Sequence, residues 1–292
     1  MNYHQPVLLD EVLKIFNPQP DQFYLDATLG EGGHTLCFLN HGAYVYGLDQ
    51  DKENLKLATQ RIEDAGFADH FTPIHGNFNQ LAAIYSKYIN KPLSGVLFDL
   101  GLSANQLKFS DKGFSFQSSQ PLDMRLTPQS HLTAENIINT YDFPRLFTLF
   151  SKTAQVKYAK PLILRIIRQR QKQPIKSAHR LAQIIKSYYQ DHHLNFDSEP
   201  STTIFLALRI AVNHEYTHLK NALNQTLQIL QPESGAAIIS FHSGEDRIVK
   251  NFIRQNQDLF QHPIPKAIQP RFTETKQNRL ARSAILRSYK IK

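Results

Sequence analysis

The chain has 292 residues, of which 41% are hydrophobic and 20% charged, and it carries a formal net charge of +8 at pH 7. This length is enough to bury a full core in one large or two ordinary domains. No apolar run approaches the roughly 20 residues of a membrane span, the N-terminus lacks the features of an export signal, and Cys37 is the only cysteine. These observations exclude a membrane-spanning or disulfide-stabilised protein and predict a cytoplasmic one.

The positive charge is concentrated in the second half of the chain. Residues 1–135 carry a net charge of −6 and residues 136–292 a net charge of +14. Between Asp142 and Asp191 there are 11 lysines and arginines and no acidic residue. A solvated surface usually mixes the two signs, so this segment favours a polyanionic partner. Nucleic acid fits better than a membrane, because no strongly amphipathic membrane helix accompanies the charge.

The first part of the chain alternates helix and strand patterns around a glycine turn. Residues 6–16 have helical spacing, and residues 23–26 have the composition of a buried strand. Gly30, Gly32 and Gly33 follow in a turn that leads into a helix. Strand, glycine turn and helix form the unit with which doubly wound α/β domains bind nucleotide-like cofactors. Alone, the motif is weak, because three glycines are as well explained by an ordinary turn.

A second predicted strand ends in an acidic residue. Residues 43–48 have a strand pattern, and residues 51–65 form the next predicted helix. Asp49 follows the strand and lies 19 residues after Gly30, close to the spacing at which an acid binds a ribose. A carboxylate suits that role because it can accept hydrogen bonds from both hydroxyls.

Two further strands add candidate ligand groups. The strand over residues 71–75 is followed by Phe78, which either stacks on an adenine ring or is an ordinary core residue, with equal weight for the two. Residues 93–98 form a mostly apolar strand that ends in Asp99. Because the carboxyl ends of parallel strands meet at one edge of the sheet, these residues predict a ligand site there.

The alternation breaks after residue 106, and helical patterns replace it. We predict an α/β fold with a mostly parallel, doubly wound sheet formed by residues 1–106 and 200–292, and an all-helical insertion over residues 107–199. The later predicted elements are helices over 133–141, 143–152, from Pro161, 177–190, 201–214 and 215–230, a strand over 236–241, a helix from Glu245, an irregular segment over 261–278 and a strand over 283–289. Thr133 and Ser177 are the predicted N-caps of the helices that they begin.

One motif points to a different chemistry. His214-Glu-Tyr-Thr-His218 matches the His-Glu-x-x-His helix of zinc peptidases, in which both histidines lie on one helical face. A catalytic zinc needs a third protein ligand and an open position, and the sequence marks out no third ligand. Exposed helix histidines are the better account, so no metal site is predicted. Elemental analysis for zinc tests the peptidase alternative.

The spacing of the glycine turn bears on the cofactor. The turn follows Asp26 and reads Gly-x-Gly-Gly over residues 30–33, without the Gly-x-Gly-x-x-Gly spacing of dinucleotide sites. S-adenosylmethionine has no pyrophosphate to cradle, so the turn favours this cofactor over a nicotinamide cofactor.

Several longer motifs run through the chain and together carry a family resemblance. They are His4-Gln-Pro-Val-Leu-Leu, Asp26-Ala-Thr-Leu-Gly-Glu-Gly-Gly-His34, Asp99-Leu-Gly101, Gly113-Phe-Ser-Phe116, Pro121-Leu-Asp-Met-Arg125, Ala207-Leu-Arg-Ile-Ala-Val-Asn213, Ser240-Phe-His-Ser243 with Glu245-Asp-Arg-Ile-Val-Lys250, and Ala281-Arg-Ser-Ala284. In this combination the chain resembles, nearly end to end, the bacterial 16S ribosomal RNA cytosine-N4 methyltransferases (RsmH, formerly MraW), as a somewhat divergent member.

The resemblance implies a class I, Rossmann-like methyltransferase with a helical substrate-recognition insertion. The implied cofactor is S-adenosylmethionine, and the implied partner is the 16S ribosomal RNA of the small ribosomal subunit, with a decoding-centre cytosine as target. By position, the implied cofactor contacts are Gly32, Gly33, His34, Asp49, Phe78, Asp99 and Gln106.

The chemistry of the implied reaction assigns further roles. The lone pair of a cytosine N4 amine is conjugated into the ring, so methylation needs an acceptor that polarises the N–H bond. Asp99 is the expected catalytic acceptor. We expect Asp123, Arg125, Ser240 and His242 to shape a pocket for an unstacked base, although Asp123 and Arg125 can equally form an internal ion pair.

The chain departs from the family pattern mainly on the expected RNA side. The departures are Ser103-Ala-Asn-Gln106 for Ser-Ser-Pro-Gln, Leu126-Thr127 for Met-Asp, Thr153-Ala-Gln155 for Gly-Glu-Glu, Glu199-Pro-Ser-Thr-Thr203 for a stretch with an arginine, and Gly244 for leucine. They leave two hypotheses: an active methyltransferase, or an RNA-binding paralogue that keeps the cofactor pocket without transferring methyl. The oligomeric state stays open, with a dimer as one option.

Overall fold

The chain folds into two compact units. In the computed structural model the described residues are 5–101, 111–116, 119–127, 130–153, 156, 158–194, 199–261 and 266–292. One unit combines Met1–Ser103 with Tyr216–Lys292, and the other comprises Ala104–Glu215. The first unit is therefore assembled from both ends of the chain, and the second from its continuous middle.

A six-stranded sheet forms the centre of the first unit, with the strand order β3-β2-β1-β4-β5-β6. Its strands are β1 Phe23–Asp26, β2 Tyr44–Asp49, β3 Phe71–His75, β4 Leu93–Asp99, β5 Leu230–Ser240 and β6 Ile285–Lys290. The first five strands pair in parallel, and β6 pairs antiparallel with β5. The order reverses between β1 and β4, which is the switch point at which doubly wound sheets bind ligands. The prediction of a class I, Rossmann-like α/β sheet is confirmed.

Helices cover both faces of this sheet. They are α1 Leu9–Phe16, α2 Gly33–Leu39, α3 Lys52–Asp64 and the short α4 Leu81–Ile84. Neighbouring strand residues alternate between the faces: Leu97 packs in the core that includes α1, α2 and α3, whereas Val96 and Phe98 pack in the opposite core. This two-sided burial explains why β4 reads as an almost continuous apolar run.

The second unit is helical and has a core of its own. Its helices are α5 Ala134–Thr140, α6 Phe143–Phe147, α7 Ala159–Lys172, α8 Ala178–Asp191 and α9 Ser201–Val212. Thr133 caps α5 and Ser177 caps α8, each by accepting a backbone N–H, as the sequence predicts for Thr133 and Ser177. The core includes Leu162, Ile166 and Ile185 at 0% exposure. α6 ends at Phe147, and a π-helical turn over Thr148–Thr153 replaces the rest of the predicted helix.

In the second half of the chain, the domain boundary and the start of β5 differ from the predictions. The helix α9 buries Ile204, Phe205 and Leu208 in the core of the helical unit, so the division falls after Glu215 rather than at residue 200. α10 Glu215–Ile229 then runs into β5, which begins at Leu230, six residues before its predicted start.

α11 Ser243–Gln255 follows β5, and α12 Phe272–Gln277 lies in the segment predicted to be irregular. In α12, Oε1 of Glu274 accepts the backbone N–H of Leu8 at 2.7 Å, a contact that no local pattern reveals. Within the described part of the chain, no helix is both long and apolar enough to cross a membrane.

Candidate functional site

Acidic residues end three of the parallel strands at the same edge of the sheet. Asp26 ends β1, Asp49 ends β2 and Asp99 ends β4. The register places Asp26 beside Gly47 and Leu97, and Asp99 beside Ile239, so β2 and β4 extend two residues beyond Asp26 before they end in Asp49 and Asp99 at the same edge. The sequence therefore predicts this edge correctly.

The glycine turn between β1 and α2 uses its three glycines in different ways. Gly30 and Gly32 have φ angles of +53° and +74°, which L side chains rarely adopt. A Cβ on Gly32 would lie 3.3 Å from Ala58 of α3, and one on Gly33 would lie 2.6 Å from Pro6. Gly32 and Gly33 thus allow close packing within the protein, whereas a Cβ on Gly30 would meet, beyond its chain neighbours, no atom of the described residues nearer than the carbonyl oxygen of Thr28 at 3.9 Å.

Asp49 connects the second strand to this turn. Its Oδ2 accepts the backbone N–H of Gly30 at 2.9 Å, and its Oδ1 accepts that of Asp51 at 2.8 Å. Burial raises the pKa of Asp49 to about 7, against the effect of these hydrogen bonds. Oδ1 keeps one lone pair for a further donor, which a ribose hydroxyl would satisfy.

Asp99 and His34 meet beside the turn. Oδ2 of Asp99 lies 3.5 Å from Nδ1 of His34, and the backbone N–H of Asp99 donates to Thr28 Oγ1 at 2.6 Å. Nε2 of His34 lies 3.0 Å from the carbonyl oxygen of Val7 and must donate to it, so in the neutral ring Nδ1 has no proton. A proton on either group can therefore be shared between Asp99 and His34.

The other carboxylate oxygen of Asp99, Oδ1, lacks a hydrogen-bond donor among the described residues. Oδ1 is buried, and no residue in the described part of the chain donates a hydrogen bond to it. A buried acceptor without a donor is costly, and such atoms usually receive a bond from a ligand or water. The site therefore fits a ligand that brings a donor to this oxygen.

Negative charge accumulates around Asp99. Burial, followed by the charges of Asp26 and Glu245, raises the pKa of Asp99 well above its ordinary value. Asp26 itself is buried and accepts the hydroxyl of Thr35 at 2.8 Å, and burial raises its pKa to about 6. A carboxylate with a raised pKa is a stronger proton acceptor once it is ionised.

The loop between β5 and α11 borders the same edge. Ser240 is buried at the end of β5, and His242 caps α11 by accepting the N–H of Glu245 through Nδ1. Nε2 of His242 lies 3.2 Å from Oε1 of Glu245, while Oε2 accepts the N–H of Phe241 at 2.9 Å. The sequence motif contains Glu245 but gives no sign that its carboxylate is buried and organises this loop.

Two of the predicted cofactor residues, Phe78 and Gln106, are not among the strand-end and glycine-turn residues described above. Phe78 lies in a 3₁₀ turn after β3 and packs edge-on against Phe98, with ring centroids 5.9 Å apart. It therefore contributes to the core, and a role beside an adenine stays a prediction. Gln106 lies outside the described residues.

Asp123 and Arg125 form an internal ion pair in the helical unit. Nη2 of Arg125 lies 2.7 Å from Oδ2 of Asp123, and Nε lies 2.8 Å from Oδ1. Nη1 also donates to the carbonyl of Ser130 at 2.8 Å. Although burial opposes it, bonding to Arg125 holds the pKa of Asp123 below its ordinary value. The ion-pair alternative is thus correct, and a substrate role of the pair stays a prediction.

The histidine pair of the peptidase-like motif does not share a helical face. α10 begins at Glu215, and His214 precedes it with a left-handed φ of 52°. The carboxylate of Glu215 is bound by Arg209, with Nε–Oε1 and Nη2–Oε2 distances of 2.8 and 2.9 Å. The glutamate that a zinc peptidase would use as a base is therefore engaged in an ion pair, and this argues against the peptidase hypothesis.

Comparison with known proteins gives a consistent result. The family model described as the MraW methylase family matches residues 1–292. Proteins named ribosomal RNA small subunit methyltransferase H are similar to the chain. The one from Mycoplasma mycoides is 34% identical over 98% of this chain and 98% of its own length. The one from Leptospira borgpetersenii is 38% identical over 97% and 92%.

Among solved structures, an rRNA methylase from Streptococcus thermophilus aligns with 97% of this chain and 93% of its own, at 14% identity and a TM-score of 0.44.

Proposed function

The chain belongs to the MraW methylase family, and from this membership we propose that it methylates the exocyclic N4 amine of a decoding-centre cytosine in 16S ribosomal RNA. The family and the names of the full-length relatives imply S-adenosylmethionine-dependent methylation of small-subunit ribosomal RNA, without specifying the methylated atom. The observation that carries the finer proposal is Asp99, with one buried carboxylate oxygen that lacks a donor among the described residues.

S-adenosylmethionine, when bound, supplies a methyl group on a sulfonium. Residues around the glycine turn would hold it: Gly32, Gly33 and His34 at the methionine end, Asp49 at the ribose, and Phe78, Asp99 and Gln106 at the remaining positions. The remaining lone pair of Asp49 supports the ribose position, and the space beside Gly30 leaves room for a ligand at the turn.

Asp99 is the proposed acceptor for the target amine. An N–H of the cytosine amine would donate to the free carboxylate oxygen, which polarises the N–H bond and orients the nitrogen lone pair. The raised pKa of Asp99 increases the basicity of that oxygen. His34, 3.5 Å from the other oxygen, provides the neighbouring site that can take up the released proton.

Four further residues are proposed to shape the site for the base. Ser240 and His242 would do so from the β5–α11 loop, with Glu245 fixing the position of His242. Asp123 and Arg125 would do so as a pair, because each holds the other in one conformation. Base unstacking requires such a preformed pocket on the protein.

The test is mass spectrometry of nucleosides from small-subunit RNA of cells with and without the gene. We expect N4-methylated cytidine to disappear in the strain without the gene and to return with the intact gene, but not with an Asp99→Asn copy. An unchanged nucleoside profile would exclude the proposed target. Labelled-methyl incorporation into unmodified subunits separates an active enzyme from a cofactor-binding paralogue, which would bind the cofactor without transferring methyl.

A further inference from the structure

The helical unit has a basic groove along α7 that the proposed methyl transfer does not use. The groove encloses about 460 Å³. The lining residues that matter here are Leu164, Arg165, Arg168, Lys172, Tyr188 and His192.

Two of the lining cations have no counter-charge. Arg168 and Lys172 are exposed and make no ion pair or hydrogen bond with any residue in the described ranges. The third cation, Arg165, is paired with Asp191 at 2.7 Å and donates to Ser187 at 3.2 Å. The groove therefore keeps a net positive charge after its internal ion pair is counted.

Arg165 also offers an unused donor. Its Nε atom is buried and has no hydrogen-bond acceptor among the described residues. A guanidinium has five donors and no acceptor, so only a group with free lone pairs can satisfy this N–H. An anionic oxygen from a ligand would do so and would add a charge-assisted hydrogen bond.

The free cations lie in one row on α7. Leu164, Arg168 and Lys172 are four residues apart, which places them on one helical face with an axial rise of about 6 Å between neighbours. The two charges in this row, Arg168 and Lys172, are thus spaced to meet two phosphates of a chain-like polyanion rather than one small anion.

Apolar and aromatic surface accompanies the charges. Leu164 is 47% exposed, which is unusual for a leucine on an otherwise amphipathic helix. The exposed His192 packs on Tyr188, which is only 4% exposed, with ring centroids 4.4 Å apart, so His192 is the member of the pair that reaches the surface. Proteins that bind single-stranded nucleic acid combine cations for the backbone with such flat or apolar surfaces for unstacked bases.

We propose that this groove binds the sugar–phosphate backbone of a single-stranded RNA segment, with Arg168 and Lys172 contacting successive phosphates and Arg165 contacting a phosphate oxygen through Nε. The proposal rests on the proposed function, because that function makes RNA the polyanion the protein meets. It assigns the RNA contact to the α7 groove rather than to the charge of the helical unit as a whole.

The test compares two charge-matched double variants of the full chain. Arg168→Gln with Lys172→Gln removes the free cations of the groove. Lys176→Gln with Lys186→Gln removes the same charge from exposed positions of the same unit outside the groove lining. Binding of a fluorescein-labelled single-stranded oligoribonucleotide is measured by anisotropy over a range of KCl concentrations.

We expect the groove variant to raise the Kd about tenfold and to lower the slope of log Kd against log salt by about 1.4, because each phosphate contact to a single strand contributes roughly 0.7. The control should change the slope little. Equal effects of the two variants, or no effect of the groove variant, would overturn the proposal. Groove-dependent RNA binding without methyl transfer to small subunits would instead refute only the proposed function.

Discussion

The hydroxyl of Tyr216 occupies the space that a side chain at position 244 would need. A Cβ on Gly244 would overlap this hydroxyl and lie 2.6 Å from the Cζ atom of the same ring. The Tyr216 ring lies 5.8 Å from that of His242, which caps α11. Where the family pattern has leucine, this chain has glycine, and the space beside position 244 is filled by Tyr216 of α10.

This relationship predicts a coupled effect of substitutions. Gly244→Leu should lower the free energy of unfolding by about 1–3 kcal/mol, because the new side chain cannot fit beside Tyr216. The same substitution made together with Tyr216→Leu should cost much less. Chemical denaturation of the two single variants and the double variant measures the coupling. Additive effects would show that the two positions are independent.

A second prediction concerns Asp99. Asp99→Asn should lower the rate of methyl incorporation by about 100-fold or more, since the amide is not a proton acceptor. In the wild type, kcat/KM should rise with pH through an apparent pKa above the ordinary aspartate value, because the ionised form is the active one and burial disfavours it. Stopped or continuous assays across pH give both quantities, and thermal melting checks the fold. A pH-independent rate would contradict the acceptor role.

The same pH profile should respond to Asp26, which does not face the substrate in the proposed mechanism. Its charge is one of the causes that raise the pKa of Asp99. Asp26→Asn should therefore move the rising limb of the profile to lower pH. If the rate falls but the rising limb of the pH profile does not move, Asp26 has only a structural role.

Asp26 also predicts a pH dependence of stability. Its pKa is about 6 in the folded protein, against the ordinary aspartate value of 3.8, so the native state binds the proton more tightly than the unfolded state. The stability that this proton contributes is fully present below the unfolded value and is lost as pH rises through the folded one. Relative to Asp26→Asn, the wild type should lose about 3 kcal/mol between about pH 4 and about pH 7.

Urea denaturation of both proteins at several pH values measures this difference. Asp69→Asn, which changes an exposed aspartate of the same unit, is the control and should leave the pH profile unchanged. A constant difference between the wild type and Asp26→Asn would mean that the native protein has no preference for the protonated carboxyl.

A fifth prediction concerns the acid of the second strand. Asp49→Asn should raise the Kd for the cofactor by about tenfold or more, because the amide loses one acceptor and can no longer receive both backbone bonds and a ribose hydroxyl. Asp51→Asn is the matched control, since asparagine can still cap α3. Isothermal titration calorimetry compares the variants. Equal affinities of wild type and Asp49→Asn would exclude the ribose role.

The sheet and its acidic edge follow from local patterns in the chain. Phe71–His75 matches its predicted strand residue for residue, and Thr133 and Ser177 cap the helices that they were expected to begin. Caps and strand periodicity depend on residues close in sequence, so they can be predicted from the sequence. The same holds for Asp49 and Asp99, which mark the ends of strands.

Contacts between distant segments could not be predicted in this way. The position of Tyr216 over Gly244, the bond from Leu8 to Glu274 and the packing of α9 with the helical unit each depend on the complete fold. The left-handed conformation of His214 also overrides the helical spacing of its motif. These features can be recognised only in the three-dimensional structure, because nothing in their local sequence distinguishes them.

The two ends of the chain hold the glycine turn between them. Pro6 and Val7 contact Gly33 and His34, while Asn278 binds the carbonyl of Gln5 at 3.1 Å. During synthesis the helical middle, Ala104–Glu215, emerges as a continuous piece, whereas the sheet lacks β6 until Ile285–Lys290 have been synthesised. The residues beside the glycine turn therefore reach their final packing only after residues 274 and 278 have been synthesised, and a chain cut short before residue 274 would carry every glycine of the turn without the bonds to Gln5 and Leu8.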